Sequence, residues 1–122
     1  MNEKLIVSVE DIKNELNLDV GDDLGMQPQQ VQRWIARQQS RILNYIAYCA
    51  KVGIEQVNSM LNDPHNVKVV REAILEHIDF LADNNYVQAD NLLKLNGQTA
   101  EPSIAPLAHL ILLNAGLLNT GE

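Results

Sequence analysis

The stretch "DPHNVKVVREAILEHIDFLAD", residues 63–83, reads as one long helix that is apolar over most of its circumference. Asp63 suits an N-cap, and Pro64 suits the first turn, where its missing N–H has no partner to lose. The spacing predicts a helix from His65 to about Ala82. Val67, Val70, Ile74, Ile78 and Leu81 recur every three or four residues and form one stripe. Val69, Ala73 and Phe80 widen it. A helix so apolar belongs at the centre of a core. His77 falls beside the stripe and reads as a satisfied histidine at the core edge. What is left for solvent is a narrow acidic wedge of roughly 60° holding Glu72, Glu76, Asp79 and Asp83.

Upstream, Ser8 and Asp11 form a capping-box pattern that opens a short helix from Val9 to about Leu16. Pro28 opens a long helix that runs to about Ala50. Val31, Trp34, Ile35, Ile42, Tyr45, Ile46 and Cys49 fall on one side of it, and Arg33, Arg37 and Arg41 on the other. Such an arginine row repels itself by a few tenths of a kcal/mol per neighbouring pair, so acidic material nearby would offset it. Gly53 interrupts the pattern, and "IEQVNSML", residues 54–61, reads as a short helix. Two long helices thus carry complementary rows. They are either two solvated faces, a contact between subunits that sets register, or a pairing within one chain.

Downstream, "YVQADNLLKL", residues 86–95, fits a further short helix, and "NGQTAEPS" is a loop by its turn chemistry. From Leu95 to Glu122 there is no lysine or arginine. Leu107 to Leu113 reads as a short helix that is apolar nearly all round, with Gly116 at its C-terminal end. Such a segment must be buried in its own core or against a partner. The fold class is therefore all-α, a small bundle of about four to five helices with a long central apolar helix and an extended or helical C-terminal segment.

The chain has 122 residues, which fits a single domain, and a formal net charge of −7. That charge argues against nonspecific binding to nucleic acid or anionic lipid, both of which need a basic surface. No apolar run approaches the ~20 residues that span a bilayer, and the N-terminal residues do not form a secretory signal. A soluble protein of a reducing compartment is expected, with the lone Cys49 a buried structural thiol.

The most chemical-looking stretch is "LNLDVGDDLG", residues 16–25. Aligned to a calcium loop from Asp19, it has Leu24 where glycine is required and Gln30 where glutamate is required. It reads instead as a turn whose Asp22 and Asp23 offer an acidic surface to a basic neighbour. His65, His77 and His109 lack metal spacing, and no nucleophile set or phosphate loop is present. No catalytic residue, metal or cofactor is expected, and the protein reads as a non-enzyme.

Three stretches together resemble the head–tail connector family of long-tailed bacteriophages, the adaptor or head-completion proteins. They are "VSVEDIKNELNLDVGDDLGMQPQQVQRWIARQQSRILNYI", "DPHNVKVVREAILEHIDFLADNN" and "PSIAPLAHLILL". The chain departs from many members in having "ADNN" where they place an aromatic residue followed by Asn and Arg, and in longer connections at 53–63 and 86–95. The resemblance implies a ring of about twelve copies between the portal of a DNA-filled capsid and the next neck or tail-completion protein. The genome would pass through its channel without specific binding, and no membrane is involved. The virion neck is the implied location, with the host cytoplasm during assembly.

On this reading residues 1–102 form the helical connector body, and residues 103–122 an apolar segment for core or portal contact. Ring contacts would fall on Arg33, Arg37, Arg41, Glu72, Glu76, Asp79, Asp83, Asp22 and Asp23. Portal contacts would fall on Ile104, Leu107, Leu110, Ile111, Leu113, Leu117 and Leu118. A reading from a different class is a small cytosolic helical regulator or protein-binding module that docks through its apolar C-terminal segment.

Overall fold

A computed structural model describes residues 5–83 and 104–118. They form five helices and no strand: α1 (Val9–Glu15), α2 (Pro28–Ala50), α3 (Ile54–Met60), α4 (Pro64–Asp83) and α5 (Pro106–Asn114). The all-α expectation holds. The helix expected over 86–95 and the loop after it lie outside the described residues.

The helix ends follow from local chemistry. The Asp11 backbone N–H donates to Ser8 Oγ at 3.1 Å, and the Ser8 N–H donates to Asp11 Oδ2 at 2.9 Å, so the capping box closes. The His65 N–H donates to Asp63 Oδ1 at 2.9 Å, which caps α4 where Asp63-Pro64 indicated. At the end of α5 the Leu117 N–H reaches the Leu112 carbonyl at 3.1 Å, and the Gly116 N–H reaches Leu113 at 3.0 Å. With Gly116 at φ +79° and Leu117 buried, this is a Schellman ending. The end of α2 differs from expectation. The chain turns at Lys51, in the left-handed region at φ 60°, and Gly53 is instead the N-cap of α3. A side chain at such a φ strains the backbone, which glycine would not.

Packing is centred on α4, which meets α2 on one flank and α5 on another; α1 and α3 lean on α2. Val69, Val70, Ala73, Ile74, Leu75, His77, Ile78 and Leu81 of α4 are buried. The stripe read from the sequence is thus shifted. Val67 and Phe80 are only half-buried, and Leu75 goes inside because α5 covers a side that the periodicity left open. Tyr45 and Cys49 are likewise half-buried rather than buried.

On α2, two glutamines are buried with the apolar residues. Gln39 Oε1 accepts the Ile6 N–H at 2.7 Å, which ties the segment before α1 to α2. Gln38 Oε1 is buried and has no hydrogen-bond partner among the described residues. Arg71 leaves α4 away from the acidic wedge and reaches back to α1. Its guanidinium donates to Asp11 Oδ1 at 3.1 Å and to the Glu15 carboxylate. The Ser8 backbone N–H, and then Arg71, hold the Asp11 carboxyl below the usual carboxylate range.

Helix α5 is docked by two histidines. His77 is fully buried, and its Nδ1 accepts the Ala105 N–H at 3.0 Å, just ahead of the first turn of α5. Nδ1 can accept only from the neutral ring, so the proton sits on Nε2, which is buried without a hydrogen-bond partner among the described residues. Burial, with the charge of Arg41 nearby, pushes the His77 pKa down to about 4. One turn along α5, His109 Nδ1 shares a hydrogen bond with the Tyr45 hydroxyl at 2.6 Å. Burial and the neighbouring Cys49 push that phenol up to about 12, so it stays protonated at neutral pH.

Because the folded pKa of His77 lies below the unfolded value near 6.5, the folded state binds fewer protons. Its contribution is present above pH ~6.5 and is lost as pH falls towards about 4, on the order of 3 kcal/mol in all. Urea unfolding of His77→Asn, which keeps an acceptor near Ala105, is expected to show a smaller loss of stability than the wild type over that window. Equal pH slopes would refute the assignment. Lys51→Gly, in a separate measurement, is expected to raise stability by about 1 kcal/mol by relieving the left-handed residue.

Candidate assembly surface

The apolar C-terminal segment divides into two sides. Ile104, Ala105, Ala108, Leu112, Leu117 and Leu118 are buried, and Ile111 is half-buried. Leu107, Leu110 and Leu113 remain about half exposed, at 50%, 48% and 48%. Three-residue spacing keeps them on the side of α5 opposite Ala108 and Leu112. The residues nominated for partner contact therefore have two uses. Ile104, Leu117 and Leu118 fasten α5 to its own core, and Leu107, Leu110 and Leu113 form an outward leucine face.

The charged rows both lie at the surface. Arg33 and Arg37 are exposed, whereas Arg41 is half-buried and close enough to α4 to act on His77. Glu72 and Asp83 are exposed, and Glu76 and Asp79 half-buried. None of these four acids makes a hydrogen bond or ion pair to another described residue; the ion pairs between described residues join Arg71 to Asp11 and Glu15. Arg33 and Arg37 stand over a shallow groove of about 270 Å³, lined also by Gly25, Met26, Gln30 and Trp34. The spacing of the arginines was legible in the sequence. The groove was not, because it needs the loop at Gly25 and Met26 folded back against α2.

The acidic loop is built around its own backbone. Asp19 Oδ1 accepts the Gly21 and Asp22 N–H groups, each at 2.8 Å, and Asp23 Oδ2 accepts the Asp19 N–H at 2.7 Å. Two of its three carboxylates are thus engaged in closing the turn, and Asp22 is left exposed. Among the described residues no group of three His, Cys, Asp or Glu side chains is placed to hold a metal ion. No described helix is long and apolar enough to cross a membrane.

No protein-family model, no curated protein and no solved structure matches the chain.

The loop geometry separates turn from metal site. Asp19→Asn retains the accepting Oδ1 and is expected to unfold close to the wild type. Asp19→Ala strands two N–H groups and is expected to cost about 1 kcal/mol. Calcium should leave the thermal midpoint of all three unchanged. A calcium-dependent rise confined to the wild type would show that the loop is a cation site.

Proposed function

We propose that the chain is a structural head–tail connector of a long-tailed phage, forming a ring between the portal and the next neck or tail protein. The observation that carries an assembly role is the leucine face of α5. Three large apolar side chains in a row, half exposed, on a helix whose other side is fixed to the core, favour burial against a protein partner. The outward charge rows add a second kind of surface, suited to contacts between copies: Arg33, Arg37 and Arg41 of one copy towards Glu72, Glu76, Asp79 and Asp83 of the next. Two unlike patches on one molecule suit a head-to-tail contact, the type that closes into rings. The connector identity itself rests on the sequence resemblance at residues 7–46, 63–85 and 102–113.

The same leucine face supports a second reading, a helical protein-binding module that captures its partner as a single copy. Mass measurement of the purified chain, alone and with the portal of the same virus, discriminates the two. A ring on the portal supports the connector. A chain that stays monomeric and ignores the portal sinks it.

Replacing Leu107, Leu110 and Leu113 together by Ser tests the carrying observation. These side chains are already half solvated, so the free energy of unfolding is expected to fall by roughly 1 kcal/mol for each leucine replaced. Affinity for the portal should fall by about 100-fold or more. Undiminished portal binding by the folded triple variant would remove α5 from the interface.

A further inference from the structure

The groove under Arg33 and Arg37 has a shape that narrows what it can take. At about 270 Å³ it lies below the roughly 300–1,000 Å³ of typical small-molecule sites. It is open and polar at its walls, with the Trp34 ring at its base, and two guanidinium groups one helical turn apart dominate it. Each guanidinium carries five donors in a planar fork, so one existing partner still leaves donors for a carboxylate. The groove therefore matches a pair of acidic side chains presented at the same one-turn spacing.

The chain carries such a pair. Asp79 and Asp83 are four residues apart on α4, and like charges at that spacing repel. Asp83 is the last residue of α4, where a carboxylate opposes the helix dipole, and no basic residue stands in that last turn. Glu72 is different. Lys68 lies one turn before it on α4, a spacing at which the opposite charge moderates it. At the other partner, the first turn of α2 contains no acidic residue to temper the arginines that follow. The N-terminal half of α2 thus carries positive charge, and the last turn of α4 negative charge.

We propose that the groove of Gly25, Met26, Gln30, Arg33, Trp34 and Arg37 receives the Asp79 and Asp83 carboxylates of a second copy. The N-terminal half of α2 in one copy then meets the C-terminal end of α4 in the next. This gives the assembly a direction, because groove and acidic edge are different patches and every copy offers one of each. The inference draws on the preceding reading only in that copies of the chain must meet, and it selects two arginines and two aspartates from the longer rows. Arg41 is left out because it is half-buried and lies towards His77 of its own chain rather than in the groove.

The test is a charge swap in trans, read by sedimentation across the soluble concentration range at low salt. One chain carries Arg33→Glu and Arg37→Glu, the other Asp79→Lys and Asp83→Lys. Wild type should self-associate, and each variant alone should associate at least about tenfold more weakly. An equimolar mixture should recover wild-type association, since each groove then meets an oppositely charged edge, and high salt should dissolve every complex. Circular dichroism confirms that each variant is helical; if a double reversal unfolds the chain, Arg33→Glu with Asp83→Lys supplies the same pair at exposed positions.

A variant that associates like wild type, a folded mixture that does not recover, or a wild-type chain monomeric throughout would each overturn the inference. A monomeric chain that still binds the portal through α5 leaves the portal reading standing while this one falls. A chain that assembles by these charges yet ignores the portal does the reverse.

Discussion

Helix α4 cannot face water along more than one narrow strip, and the rest of the fold is arranged to satisfy that. Eight of its residues are buried, and they point to more than one flank. One neighbour cannot cover such a helix. Helix α2 takes one flank and α5 another, while Arg71 of α4 reaches α1, which packs on α2. The ion pairs of Arg71 are partly exposed, so they add little free energy of their own. Their use is to tie α1 to α4. The burial of Ile12, Ile74, Ile78 and Leu112 supplies the stability, at about 1.5–3 kcal/mol for each fully covered side chain.

The docking of α5 shows why a polar group is kept inside so apolar a core. Helix α5 has leucine or isoleucine on nearly every side, and apolar contact alone would let it rotate or slide on α4. His77 receives one particular backbone N–H, that of Ala105, and Tyr45 meets one particular ring, that of His109. Together they fix both the rotation and the axial position of α5. That fixed rotation is what turns Leu107, Leu110 and Leu113 outward rather than a different three. The specificity has a cost. His77 Nε2 is buried without a partner among the described residues, and such a group weakens the folded state relative to one that is satisfied.

Helix positions were legible in the sequence because their signals are local. Ser8 with Asp11, Asp63 with Pro64, Pro28 and Gly116 each act within a turn or two of where they stand. The side of α5 that faces out was not legible, since a helix that is apolar all round has no periodicity from which to read a face. Burial of Gln38 and Gln39 was hidden for a related reason. Glutamine scores as a surface residue, and a partner of Gln39 inside the fold, the Ile6 N–H, lies 33 residues away in sequence. The reach of Arg71 to residues 56 and 60 positions earlier is a tertiary fact that no local pattern contains. Of the candidate surface, the charge rows were visible as spacings, and the groove that Arg33 and Arg37 share was not.

The leucine face and the charged patches lie on different elements, and this bears on what kind of assembly the chain suits. A leucine face loses water-exposed apolar area on contact, so it supplies affinity and works with any partner of matching shape. The charged patches supply orientation, because a wrong alignment places like charges together. A protein that needed only one partner could combine both on one surface. Here the charged rows sit on α2 and α4, and the exposed leucines sit on α5. Contacts of two different kinds can then be made at once without competing for the same side chains. On the connector reading proposed above, the division suits a component with a like neighbour on each side and an unlike neighbour along its axis.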